Sequence, residues 1–214
     1  MFMKEYDKLT TEEKELLVKQ AMDTAAETET LYGNCMQSVL NGLYKTFPDM
    51  GITPEMIKAG FGMAGGCCIS LKGTCGALSA AAFAISLFYG RPVDDFPGYY
   101  DDCQALIRTV MDEFEERYGG VLCWEVLKHN LGEVYDWKTE EGYKGYEEHN
   151  GTPSDAEVVS WCAGKVARMI VEGRLSYGEC AWPDVENDYF KSAATLEKVR
   201  ARKERFAAMD SSRK

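Results

Sequence analysis

The sequence has no surplus of positive charge. Its 214 residues carry 24 Lys and Arg against 35 Asp and Glu, a formal net charge of −11. Such a surface repels phosphate backbones, so nucleic acid is not an expected partner. Anionic membrane surfaces are disfavoured for the same reason. Histidine is scarce, with only His129 and His149; this argues against a His-rich metal enzyme. There is no Cys-x-x-Cys pair, hence no thioredoxin motif and no zinc-ribbon knuckle, and no Cys-x-x-Cys-His for haem attachment. No Walker loop is present, and the Gly62 to Gly66 run has no strand before it, so it reads as a flexible loop rather than a dinucleotide fingerprint. The longest apolar stretch, Ala77 to Tyr89, is too short to span a bilayer. Met1 to Thr10 mixes acids and lysines with no apolar segment and does not read as a signal peptide. The expected location is cytoplasmic.

What is present is helical periodicity. Hydrophobic residues make up 45% and charged residues 28%, as in ordinary globular domains. Thr10 with Glu13 forms a capping-box start for a helix through Leu16, Leu17, Ala21 and Ala25 to about Thr30. Gly33 and Asn34 interrupt, and Met36, Val39, Leu40, Leu43, Tyr44 and Phe47 follow at helical spacing. Thr53-Pro54 opens a short helix with Met56, Ile57 and Phe61. A glycine- and cysteine-rich loop, 60–76, leads into Ala77 to Phe88, apolar nearly all round and read as a buried central helix.

Tyr99 to Tyr118 is amphipathic, with Leu106, Ile107, Val110, Met111 and Phe114 inward. A short helix covers about Leu122 to Leu131, and 132–153 reads as a long surface loop anchored by Tyr135, Trp137, Tyr143 and Tyr146. Ser154 to Glu157 is a second capping box, opening a helix through Val158, Val159, Cys162, Val166 and Ile170. No alternating strand pattern exceeds a few residues. The expected fold is all-α: a multi-helix, bundle-like domain in which the glycine/cysteine loop enters a buried central helix. The expected divisions are an N-terminal helix over 1–30, a cysteine-containing domain over 31–173, and a partly helical, charged extension over 174–214.

Eight cysteines in a chain read as cytoplasmic are not expected to form structural disulfides. Cys75 lies in Gly73-Thr74-Cys75-Gly76-Ala77, where the loop enters the apolar helix. The free N–H groups and positive dipole of a helix start favour thiolate, the form that attacks and binds metal. Cys35 and Cys123 likewise follow glycines near predicted helix starts. Three such placements point to a shared centre. Cys162 reads alone as a core residue and joins the set only as its fourth member. Cys67 and Cys68 are adjacent; strain in the eight-membered ring disfavours a bond between them, leaving a resolving thiol or a neighbour of the centre. Cys103 and Cys180 have no glycine or cap context and are read as inert.

Four blocks carry a resemblance to a known family. They are Asn34-Cys35-Met36-Gln37-Ser38-Val39-Leu40, Thr74-Cys75-Gly76-Ala77-Leu78-Ser79-Ala80, Arg117-Tyr118-Gly119-Gly120-Val121-Leu122-Cys123, and Trp161-Cys162-Ala163-Gly164-Lys165-Val166. Together, over roughly Leu31 to Val171, they resemble the C-GCAxxG-C-C family, which is associated with a redox role but no assigned reaction. Ala80 stands where the motif expects a second glycine. The resemblance implies a helical fold. A similar domain accompanies an iron–sulfur centre in split-Soret cytochromes, and on that basis Cys35, Cys75, Cys123 and Cys162 are the implied ligands. Four thiolates are the usual number for such clusters.

Several functions compete. One is iron–sulfur electron transfer to an unidentified redox partner protein, docked through the acidic surface. Another is thiol–disulfide exchange, with Cys75 attacking and Cys35, Cys67, Cys68 or Cys123 resolving. A third is a structural zinc site in a non-catalytic scaffold, since four thiolates suit tetrahedral zinc. The plainest reading is of buried thiols without chemistry. No integral membrane segment is expected, and self-association into a homodimer is left open.

Overall fold

Thr10 heads the first helix as its sequence predicts. Its hydroxyl accepts the Glu13 N–H, and the Glu13 carboxylate accepts the Thr10 N–H at 2.9 Å. The helix, α1, spans Thr11–Tyr32 in the computed structural model, which describes residues 5–90, 102–175 and 201. Then come α2 (Cys35–Thr46), α3 (Pro54–Ala59) with a 3-10 turn over Gly60–Met63, α4 (Gly76–Tyr89), α5 (Asp102–Tyr118), α6 (Cys123–Leu131), α7 (Glu140–Glu148) and α8 (Gly151–Val171). Among the described residues these eight α-helices are accompanied by no strand, only an isolated antiparallel bridge between Thr74 and Leu122. The fold is all-α.

Helices α1, α2, α4, α5 and α8 enclose the main core, with Leu40, Leu43, Phe47, Ile85, Leu106, Phe114, Val159 and Ile170 almost wholly buried. Small residues set the helix spacing. A Cβ on Gly42 would stand 2.7 Å from the Ala21 carbonyl oxygen and 3.0 Å from the Ala25 methyl, so α2 crosses α1 backbone to backbone. Phe114, Tyr118 and Trp161 pack edge-on or tilted where α5 meets α8. Such ring pairs add about 0.5–1.5 kcal/mol beyond their buried area. A second, smaller core of Cys123, Leu127, Tyr135 and Tyr146 lies under α6 and α7.

The structure corrects three expectations. The stretch 132–153 is not one long loop, because α7 forms within it. Its Gly142 and Gly145 weaken the helical signal, yet a Cβ on Gly145 would lie 2.9 Å from the Tyr135 ring, so packing requires the glycine. Helix α8 starts at Gly151 rather than Ser154. Pro153 fits its first turn, where no backbone donor is needed, and the Ser154 hydroxyl accepts a bond from Asn130 instead of capping. Met111 of α5 is 36% exposed and so does not point inward, whereas α4 is buried along Ala77, Leu78, Ala80, Ala81, Ala84 and Ile85, as expected. The expected partly helical extension beyond residue 175, apart from residue 201, together with Cys180 and the start of the Tyr99 helix, lies outside the described residues.

Candidate functional site

Three cysteines arrive at one place from three helix starts. Cys35 is the first residue of α2, behind Asn34, whose left-handed backbone (φ 75°) turns the chain out of α1. The Asn34 carboxamide accepts the Gln37 N–H at 3.2 Å and donates to the Phe61 carbonyl at 2.9 Å, pinning this helix start to the turn after α3. Cys75 is the N-cap of α4, and its side chain makes no cap hydrogen bond. Cys123 opens α6. The Glu125 carboxylate accepts the N–H groups of Val121 and Leu122 at 3.0 and 2.9 Å and so fixes that turn.

Main-chain bonds register two of these segments. The Cys75 N–H donates to Val121 O at 2.8 Å, the Cys123 N–H to Gly73 O at 2.9 Å, and the Trp124 N–H to Leu71 O at 3.1 Å. Glycine makes the close approach feasible. A Cβ on Gly76 would stand 2.5 Å from the Cys35 sulfur, and one on Gly66 would stand 2.8 Å from the Cys123 Cβ and 2.9 Å from Gly73 O.

The three cysteines line a cavity of about 20 Å³ together with Gly65, Val126, Leu127, Trp137, Asp155 and Val158. That volume holds one water-sized guest. The cavity lies at the seam between the two cores, since Cys75, Val126 and Val158 belong to the larger while Cys123, Leu127 and Trp137 belong to the smaller. The indole N–H of Trp137 is buried and has no acceptor. Cys162 does not line the cavity. It sits fully buried on α8, one turn beyond Val158, close enough to Cys35 to influence its charge.

The electrostatics run against the expectation for helix starts. The Cys75 thiol within hydrogen-bonding reach, then burial, pushes the Cys35 thiol well above the ordinary range, and Glu29 adds to the effect. Burial likewise raises Cys123 and Cys162, with Cys35 contributing to both. Burial and the neighbouring acidic groups therefore keep Cys35, Cys123 and Cys162 protonated at neutral pH.

Asp155 was not singled out from the sequence, where it reads as part of a cap. It accepts the Tyr146 hydroxyl at 2.8 Å, and burial lifts its carboxyl to about 7, with Glu29 and Glu147 contributing. Glu29 is also buried and raised, and its Oε2 has no partner. A sequence signal existed for Asp155, which lies seven residues before Cys162 and so shares its helix face.

The donor set fits a soft cation. Every anionic form in the cavity opposes its neighbours, so a positive ion would relieve the whole group and draw off the thiol protons. The unpartnered Trp137 N–H supplies a donor for a sulfide or thiolate acceptor. Among the described residues no group of three or more Cys, His, Asp or Glu is already assembled to hold a metal ion, so loading would draw the thiols inward. His129 and His149 are both exposed, and neither lines the cavity. Cys103 is buried on α5, 3.7 Å from the Ser86 hydroxyl. Cys67 and Cys68 are exposed. Among the described residues no helix is long and apolar enough to cross a membrane.

Residues 33–172 match the model of the family described as "Putative redox-active protein (C_GCAxxG_C_C)". No curated protein and no solved structure matches the chain. The match covers well over half of the sequence and contains all four blocks, and the chain belongs to this family.

Proposed function

We propose that this family member is an electron-transfer protein whose centre is an iron–sulfur cluster held by Cys35, Cys75 and Cys123, with Cys162 as the fourth thiol. The observation that carries the reading is the convergence of three thiols from three separate helix starts on one cavity. Cluster ligands are thiolates, and when bound such a group supplies one-electron chemistry at a potential set by its surroundings. The chain's own residues supply four thiols, the indole N–H of Trp137 as a hydrogen-bond donor, and two apolar cores that limit water. A cluster is larger than the cavity, so side chains lining it would have to rearrange to admit it. The acidic surface, with net charge −11, suits a partner that presents a basic face.

The test is purification under strict anoxia, followed by an absorption spectrum and iron, sulfide and zinc analysis. The expected result is coloured protein with iron and acid-labile sulfide, both lost in Cys75→Ser. Colourless protein with stoichiometric zinc would replace the redox reading by a structural one. A second reading, thiol–disulfide exchange, is favoured by one contact, the hydrogen-bonding reach between the Cys35 and Cys75 thiols. In that chemistry the two thiols form a disulfide, giving two electrons and two protons to a partner disulfide. The raised Cys35 thiol makes it a slow nucleophile. Loss of two titratable thiols on mild oxidation, without metal release, would favour this second reading.

A further inference from the structure

The loop leading to Cys75 has an outer face that the buried centre does not use. Residues Gly65, Gly66, Cys67, Cys68 and Ile69 all have positive φ, between 51° and 68°. Three of them are not glycine, and a left-handed backbone costs such residues about 1–2 kcal/mol each. Main-chain bonds hold them there. The Cys67 N–H donates to Met63 O at 3.3 Å, Cys68 N–H to Gly62 O at 2.9 Å, Ile69 N–H to Ala64 O at 3.2 Å, and Ser70 N–H to Cys67 O at 3.0 Å.

An extended chain sends neighbouring side chains to opposite faces. Here the left-handed turn leaves both thiols exposed, and Cys68 stands near enough to push the Cys67 thiol up. Gly65, two residues earlier, lines the cavity, so the pair stands on the solvent side of the same loop.

We propose that Cys67 and Cys68 form a surface dithiol site for a soft, thiophilic centre of the trivalent-arsenic class. Two adjacent thiols on one side of the chain match an atom that bonds both sulfurs at a bent angle, and soft thiolates select soft atoms. Strain in the eight-membered ring keeps the pair from closing as a disulfide. The fixed loop lowers the ordering cost of binding. In the reaction an arsenic(III) oxide group condenses with two thiols. Two S–H bonds and the arsenic–oxygen bond break, two As–S bonds form, and the oxygen leaves as water with both protons. No oxidation state changes.

The experiment treats reduced, full-length protein under anoxia with one equivalent of phenylarsine oxide, then maps the adduct by mass spectrometry. The expected product is one phenylarsenic group on the peptide carrying both Cys67 and Cys68, retained in Cys75→Ser. Loss of either sulfur, in Cys67→Ser or Cys68→Ser, should make the adduct about a hundredfold easier to strip with a small dithiol, because the chelate is lost. An adduct on Cys35 or Cys75, an adduct equally firm in Cys68→Ser, or no adduct at all would overturn the proposal. None of these results depends on whether the buried centre carries iron.

Discussion

Replacing Asp155 by Asn removes a carboxyl from the cavity wall while keeping its shape and an acceptor for the Tyr146 hydroxyl. Burial holds the native carboxyl at about 7 against an ordinary value of 3.8. Between those limits the folded protein retains a proton that the unfolded chain has released. The stability of the native protein must then fall as pH rises through the window, with the full penalty present above about pH 7. The gap corresponds to at most about 4 kcal/mol. Relaxation and water at the cavity reduce this to roughly 2–4 kcal/mol. The assay is urea denaturation of metal-free, reduced wild type and Asp155→Asn from about pH 4 to 8. The two should be similar at the acid end, with the variant pulling ahead as pH rises. In thermal melts each kcal/mol moves the midpoint by about 2–4 °C in a chain of this size. A pH-independent difference, or a variant that weakens towards alkaline pH, would refute the reasoning.

Gly76→Ala places a methyl against the Cys35 sulfur and the Met63 carbonyl; it should cost about 1–3 kcal/mol and lower bound metal per chain, read by denaturation and elemental analysis. Gly42→Ala gains helix propensity of up to about 1 kcal/mol, yet its methyl meets the α1 backbone at Ala21. The net result should be destabilisation, and a gain in melting temperature would show that α1 and α2 separate freely. Cys162→Ala removes one fully buried sulfur, with an expected cost of about 0.5–1.5 kcal/mol by analogy with deleting one buried methyl group. Its iron content should fall to that of Cys75→Ser if it supplies the fourth thiolate; full iron would remove it from the ligand set.

The starts of α1, α2, α3 and α6 were legible because they depend on local chemistry. Thr10 with Glu13, Thr53 with Pro54, and glycine before Cys35 and Cys123 each act within a few residues. The same locality misled at 132–153. The glycines there report a tertiary demand, the rings of Tyr135 and Tyr146 lying where a Cβ would be, and no short window carries that information. The three cavity cysteines were legible as helix-start thiols, but the upward push on the Cys35 and Cys123 thiols was not. A helix start alone lowers a thiol, and only the fold reveals that Cys35, Cys75 and Cys123 face each other and share their surroundings with Asp155 and Glu29. The Gly62 to Gly66 run reads as flexible because glycine signals permission, not the particular hydrogen bonds that fix the left-handed turn following it at Cys67 and Cys68.

The bridge between Thr74 and Leu122 also bears on how the centre behaves when empty. Cys75 and Cys123 are aligned by peptide groups, which every substitution except proline preserves, while the main core is built from apolar side chains of five helices. Small metal-dependent fingers unfold when stripped, because the ion is their core. If the proposed cluster is held here, its loss should leave the helices in place, and side-chain drift at Thr74, Val121 or Leu122 leaves the spacing of Cys75 and Cys123 intact.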